Sequence, residues 1–201
     1  MPLIGDHAPE FHAMTTQGKI DFPADYKGSW VVLFSHPADF TPVCTTEFIA
    51  LSRMNETFES LNTKLIGLSI DSLHSHLGWI KSIEALNFNN EGKVKIPFPI
   101  IADISMNVAR KYGMLQTVAN TQTVRAVFII DPEGMIRTIL YYPMSTGRNI
   151  PEIIRILQSL QLNDKTHYST PANWQPGDDV VMGAPLTIEE AQERLESSDN
   201  T

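Results

Sequence analysis

The sequence predicts an α/β domain, a central mixed sheet flanked by helices, followed by a C-terminal arm. Two observations carry this. Strand-like and helix-like segments alternate along most of the chain, the pattern of a sheet covered by helices. Two apolar segments, Val124–Ile130 and Ile136–Tyr142, flank the turn Asp131-Pro132-Glu133-Gly134. That spacing makes them an antiparallel hairpin, so the sheet is mixed.

The elements follow in order. Trp30-Val31-Val32-Leu33-Phe34-Ser35 is a short apolar run of β-formers, as expected of a strand buried on both faces. Pro37 and Pro42 end it and bracket a loop. From Cys44 the pattern turns helical, with Phe48, Leu51, Phe58 and Leu61 on one broad face. Lys64 to Ile70 reads as a second buried strand, and Ser72 to Leu86 as a helix. Pro97-Phe98-Pro99-Ile100 is extended, since prolines exclude a helix there. Asp103 caps a helix that runs to Tyr112 and ends at Gly113. Asn149 caps another, with Pro151 in its first turn. Composition changes after Leu162, which sets domains at 1–162 and 163–201. In the second, Thr187 to Leu195 reads as a short helix. Trp174, Val180, Val181 and Met182 give this arm apolar surface to bury, which suits packing on a neighbouring subunit.

The totals exclude several functions. The 201 residues are 42% hydrophobic and 19% charged, the balance of an ordinary soluble protein. No apolar run is long enough for a bilayer, and no basic-then-apolar N-terminal pattern marks a signal peptide. A net charge of −8 argues against nucleic-acid and anionic-membrane binding. The single cysteine excludes an intramolecular disulfide, a cysteine-cluster zinc site and a Cys-x-x-Cys pair, and it suits a reducing, cytoplasmic setting. His7, His12, His74, His76 and His167 show no metal-ligand spacing and read as solvated or capping groups. Neither a metal nor a cofactor is expected. Met106, Met114, Met135 and Met144 read as core filler.

A lone cysteine is usually a small buried hydrophobe. The surroundings of Cys44 argue otherwise. Thr41 is a good N-cap and Pro42 suits the first helical position, which puts Cys44 in the first turn. Unpaired N–H groups there favour negative charge, so the sulfur gains thiolate character. The Thr41 hydroxyl is expected to point at the same turn, toward the sulfur or an incoming oxygen. Arg125 opens a very apolar strand, where an unpaired charge is costly, so a carboxylate or thiolate partner is expected.

The run Pro37-x-x-x-Thr41-x-x-Cys44 resembles the active-site signature of the peroxiredoxins. The longer string from Phe34-Ser35-His36-Pro37 to Thr41-Pro42-Val43-Cys44-Thr45-Thr46-Glu47 is similar to their one-cysteine subfamily. Further matches follow in order: Gly5-Asp6-His7-Ala8-Pro9-Glu10-Phe11, Val124-Arg125-Ala126-Val127-Phe128, Thr146-Gly147-Arg148-Asn149, and Thr170-Pro171-Ala172-Asn173-Trp174 through Asp178. The resemblance implies a thioredoxin-like fold and a peroxidase. Cys44 would be the nucleophile, Thr41 and Arg125 would bind peroxide, and Pro37 would shield the site. His36, Glu47 and Arg148 match flanking or supporting positions. The substrates implied are hydrogen peroxide and alkyl hydroperoxides. An external thiol or small-molecule reductant must regenerate the sulfenic acid, because the chain holds no second cysteine. A homodimer or a decamer of five dimers is implied, without a choice between them.

Three other readings stand beside this one. A cysteine hydrolase would need His36 as base. A peroxide sensor or holdase chaperone would use the same scaffold without fast turnover. A phospholipase activity described for some one-cysteine members needs a Gly-x-Ser-x-Gly stretch. Here Gly28-Ser29-Trp30-Val31 lacks the last glycine, and Pro23 stands where a histidine is expected, so that activity is not predicted.

Overall fold

Trp30–Ser35 is buried at every position, as a strand covered on both faces must be. It is an interior strand of a sheet that a computed structural model describes through residues 1–115 and 122–198. The strands are β1 (Phe11–Thr15), β2 (Gly18–Phe22), β3 (Trp30–Ser35), β4 (Thr63–Ser69), β5 (Ile100–Ala102), β6 (Arg125–Ile130) and β7 (Ile136–Tyr142). Their order across the sheet is β2-β1-β5-β4-β3-β6-β7. β3, β4 and β5 run parallel, and every other pairing is antiparallel. The sheet is mixed, as expected, and the Asp131–Gly134 turn joins β6 to β7.

Six helices are described: α1 (Pro42–Arg53), α2 (Asn55–Ser60), α3 (Leu73–Ala85), α4 (Asn107–Lys111), α5 (Ile150–Thr166) and α6 (Ile188–Ser198). The segment expected as one helix after Cys44 is two, because Met54 leaves helical geometry at φ −94°, ψ 3°. Ser72 caps α3 by accepting from the Ser75 amide. Asp103 caps α4 from a distance: its carboxylate accepts the Ala109 amide at 2.7 Å, although the helix starts only at Asn107. The β1–β2 hairpin is absent from the sequence reading. Only Phe11, Thr15 and Phe22 among its residues are buried, so its apolar signal is weak.

The chain forms two compact units, Met1–Pro151 and Glu152–Thr201. In the first, a core under the sheet gathers Phe11, Phe22, Leu33, Ile66, Tyr112 and Phe128. In the second, Trp174 is buried and its indole N–H donates to the Asp178 carbonyl at 3.1 Å. Arg155 grips Glu152 through two nitrogens at 2.6 and 2.8 Å. Ser169 and Val181 exchange backbone hydrogen bonds of 2.8 Å. Residues 199–201 of the expected arm lie outside the described residues.

Gly67 on β4 sets how closely α1 approaches the sheet. A Cβ there would stand 3.3 Å from the Phe34 ring and 3.4 Å from the Phe48 ring. Only a residue without a side chain lets both rings lie against the strand.

Candidate active site

β3 ends at Ser35, and the chain turns through Pro37 and a left-handed Phe40 (φ 56°) into α1. Thr41 holds the N-cap geometry and Pro42 the first helical position, as the sequence suggests. Cys44 therefore sits in the first turn. It is fully buried, at 0% exposure. Pro37 is also buried, beside the start of this loop.

The Thr41 hydroxyl does not do what was expected of it. It donates back to the Ala38 carbonyl at 2.9 Å and makes no cap bond. The tight turn at Phe40 brings that carbonyl to the only proton the hydroxyl has. The consequence favours the sulfur: no cap side chain occupies the first-turn N–H groups, so their partial positive charge remains at the Cys44 end of the helix.

Arg125, at the start of β6, meets both a carboxylate and the Cys44 sulfur, where the sequence offered a carboxylate or a thiolate as alternatives. Its Nη1 donates to Cys44 Sγ at 3.2 Å and to Glu47 Oε2 at 2.7 Å. Its Nε and Nη2 hold the Met144 carbonyl at 3.0 and 2.7 Å, so the guanidinium cannot swing away. Met144 thus contributes its backbone, a role that the reading as core filler misses.

Glu47 and Arg148 complete the charge pattern. Arg148 grips Glu47 with Nε at 3.0 Å and Nη2 at 2.7 Å, and its own amide donates to the same carboxylate at 2.9 Å. Arg148 Nη1 donates to the Ser35 and Ala126 carbonyls, which ties the cluster to β3 and β6. Its guanidinium also lies over the Phe34 ring, 5.1 Å from the centroid. The three side chains are at most 8% exposed. Two guanidiniums share one carboxylate, which leaves one positive charge over. The Cys44 sulfur lies 3.2 Å from Arg125 Nη1; for a thiolate at that distance and an effective dielectric near 20, the attraction is roughly 5 kcal/mol before desolvation.

His36 is fully buried, and its Nε2 lies 2.9 Å from Asp39 Oδ1. Burial pushes its imidazole down, and the Asp39 contact offsets this only in part. Its ring packs against Phe48 and Trp79, each with centroids 4.9 Å away. Trp79 in turn donates to Thr45 Oγ1 at 3.2 Å, and Thr45 donates to the Thr41 carbonyl at 2.9 Å. The first turn of α1 is thus held from α3.

His76 corrects the sequence reading. It is neither solvated nor a cap: it is fully buried, with Nδ1 2.8 Å from Asp39 Oδ2. Asp39 itself offered no signal in sequence, because His76 reaches it from α3, 37 residues along the chain. Burial pushes the Asp39 carboxyl up, but hydrogen bonds from His36 and His76, with their charges, hold it well below the usual range. Among the described residues, His36, Asp39 and His76 are the group whose ligand atoms converge enough for a cation. Their contacts of 2.8–3.0 Å are hydrogen-bond distances, which need the protons a metal would displace. Ser29, the residue relevant to lipid hydrolysis, donates to the Asn62 side-chain oxygen at 3.4 Å.

The site chemistry is therefore that of a buried sulfur beside a fixed cation. Such a group can attack an electrophilic atom, and Arg125 can stabilise charge on the departing one. The acyl-transfer alternative is poorly served. The sulfur's hydrogen-bond partner is Arg125, and His36 Nε2 is engaged by Asp39.

Comparison with known proteins agrees. A family model described as the AhpC/TSA family matches residues 4–139. A second, the C-terminal domain of 1-Cys peroxiredoxin, matches residues 159–198. A peroxiredoxin of Methanosarcina mazei is 60% identical over 197 residues, covering 97% of this chain and 90% of its own. The solved yeast mitochondrial 1-Cys peroxiredoxin superposes with a TM-score of 0.86 at 44% identity, over 96% of this chain and 92% of that one. A cysteine-to-serine mutant of peroxiredoxin 6 from Arenicola marina gives 0.85 at 39% identity, over 96% and 89%.

Proposed function

The chain belongs to the AhpC/TSA family, among the one-cysteine peroxiredoxins, and on that premise we propose how its residues divide the work. The protein is a thiol-dependent peroxidase with a thioredoxin-like fold. Its single cysteine makes Cys44 the nucleophile. The Cys44 thiolate attacks one peroxide oxygen, the O–O bond breaks, and the departing oxygen leaves as water or alcohol after taking a proton. Sulfur is oxidised by two electrons to the sulfenic acid.

Arg125 orients the thiolate and stabilises the departing oxygen. Thr41 offers its hydroxyl oxygen as an acceptor to the peroxide, its proton being held by Ala38. Pro37 keeps water from the sulfur. Glu47 and Arg148 position Arg125, and His36 packs the loop. The observation that carries this reading is the 3.2 Å contact between Arg125 and the buried sulfur.

The sulfenic acid is returned to thiol by two equivalents of an external thiol, which leave as a disulfide with release of water. The yeast mitochondrial relative is described as resolved through glutathione and thioredoxin systems, so these are the first candidates here. The match to a 1-Cys C-terminal domain supports a homodimer formed through the arm at 163–201, alone or in a decamer of five dimers. The lone cysteine supports a reducing, cytoplasmic location. No helix among the described residues is long and apolar enough to cross a membrane. A sensor or holdase role is not favoured by these relatives.

The test is a peroxidase assay of wild type and Cys44→Ser with hydrogen peroxide or an alkyl hydroperoxide. Glutathione, thioredoxin and ascorbate serve as alternative reductants. Rapid stoichiometric loss of the Cys44 thiol with turnover supports the reading. Acyl-enzyme formation without thiol loss overturns it, and oxidation without turnover points to a sensor.

A further inference from the structure

His76 lies between two acceptors. Its Nδ1 is 2.8 Å from Asp39 Oδ2 and 3.0 Å from Oδ1, and its Nε2 is 3.2 Å from the Ile101 carbonyl oxygen. A carbonyl oxygen only accepts. An ionised carboxylate also only accepts, and Asp39 is held ionised by its neighbours. A neutral imidazole has one N–H, so one nitrogen would set its lone pair against an oxygen in a dry interior. The doubly protonated ring satisfies both contacts.

We propose that His76 is a buried imidazolium that acts, through Asp39, as a positioning residue for Cys44. This rests on the peroxidase reading above. Asp39 belongs to the loop between β3 and α1, and three tethers hold it. Its carboxylate meets His76 of α3, and it accepts His36 Nε2–H at 2.9 Å. Its amide donates to Asp71 Oδ2 at 3.0 Å, and Ser69 at the end of β4 donates to that same oxygen at 2.7 Å. The Ile101 carbonyl fixes the far side of the His76 ring to β5. The charged and titratable groups around His76 are thus Asp39, His36 and Asp71.

Two consequences follow. The Asp39 side chain is 1% exposed, so its charge has no solvent to fall back on if His76 is lost. The loop would then move, and Thr41 and the first turn bearing Cys44 follow it directly in the chain. The network also selects one tautomer of His36. Nε2 carries the proton toward Asp39, which leaves Nδ1 as a bare lone pair, and that atom is buried without a partner.

Nitrogen-15 NMR of the wild-type protein at neutral pH tests the protonation state. Both His76 nitrogens should resonate in the protonated range, and His36 should show one protonated and one bare nitrogen. A bare nitrogen on His76 overturns the assignment. In Asp39→Asn, His76 should show a bare nitrogen at the same pH, and an unchanged His76 signature overturns the pairing. For function, Cys44 thiol loss with hydrogen peroxide is followed in wild type, His76→Gln and Asp39→Asn, with folding checked by circular dichroism. The rate constant should fall on the order of tenfold to hundredfold in both variants. Wild type that does not react with peroxide sinks the peroxidase reading itself. Wild type that reacts, with folded variants that react equally fast, sinks only the positioning role.

Discussion

Arg125 donates to the Cys44 sulfur at 3.2 Å with the same nitrogen that holds Glu47 at 2.7 Å. One atom therefore links the nucleophile to the charge cluster that fixes its cation. Arg125→Gln removes the charge and one donor to the departing oxygen. The second-order rate of Cys44 thiol loss with peroxide should fall on the order of 10²–10³-fold in stopped-flow traces. Arg125→Lys keeps a charge but not the fork, and should remain well below wild type. A folded Arg125→Gln protein that reacts at the wild-type rate removes Arg125 from the mechanism.

Glu47 is the one anion between two guanidiniums, all three nearly solvent-free. Glu47→Gln leaves the two cations facing each other. Removing one partner from a buried cluster costs about 3–5 kcal/mol, so urea unfolding should show a loss of that size. A loss within a few tenths would mean that solvent reaches the cluster.

Acid should destabilise the protein through two groups acting in the same direction. Burial lowers His36, so the unfolded chain takes up a proton below about pH 6.5 that the folded chain refuses. The hydrogen bonds from His36 and His76 outweigh burial at Asp39, so its stabilisation is complete above about pH 4 and lost as pH falls toward its folded value. The unfolded state binds more protons in both windows, and stability rises with pH, by up to about 1.4 kcal/mol per unit for each group. Urea midpoints from pH 3 to 7 measure this. Asp39→Asn should flatten the part below about pH 4. Equal slopes there in both proteins would contradict the assignment.

Gly67→Ala should cost about 1–3 kcal/mol, because the new Cβ meets the Phe34 and Phe48 rings at 3.3 and 3.4 Å. Phe48 lies one turn beyond Cys44 on α1, so the peroxide step should slow as well. A thermal melt and the thiol-loss assay, run together, separate the two effects. Wild-type values in both would show that the rings move aside freely.

Graded hydrogen peroxide should add one oxygen to Cys44, then further oxygens as excess converts sulfenic to sulfinic and sulfonic acid. Intact mass spectrometry reads each step. A Cys44–Cys44 disulfide between subunits as the main product would indicate a different cycle. Because Cys44 is fully buried, a thiol reductant present together with the peroxide should limit overoxidation only as fast as it reaches the sulfenic acid.

Much of this was legible in the chain. β3, β4, β6 and β7 announce themselves as apolar runs, and the Thr41-Pro42 pair places Cys44 in a first turn whatever surrounds it. β1 and β2 were not legible, because few of their side chains face the core. Nor was the role of Thr41: a cap residue has the right backbone, but one hydroxyl proton goes to whichever acceptor the turn brings nearest, here Ala38.

By itself the sequence determined the local setting of the nucleophile, its lack of an internal partner and the need for a buried arginine to find an anion. Backbone preferences and composition act within a few residues, so they can be read along the chain. The tertiary structure alone decided which anion that is and how the site is held. Glu47 meets Arg125 across 78 residues and Arg148 across 101, and Asp39 meets His76 across 37. Such pairs form only when the sheet has closed and removed them from water, where an unpaired charge has nowhere else to go.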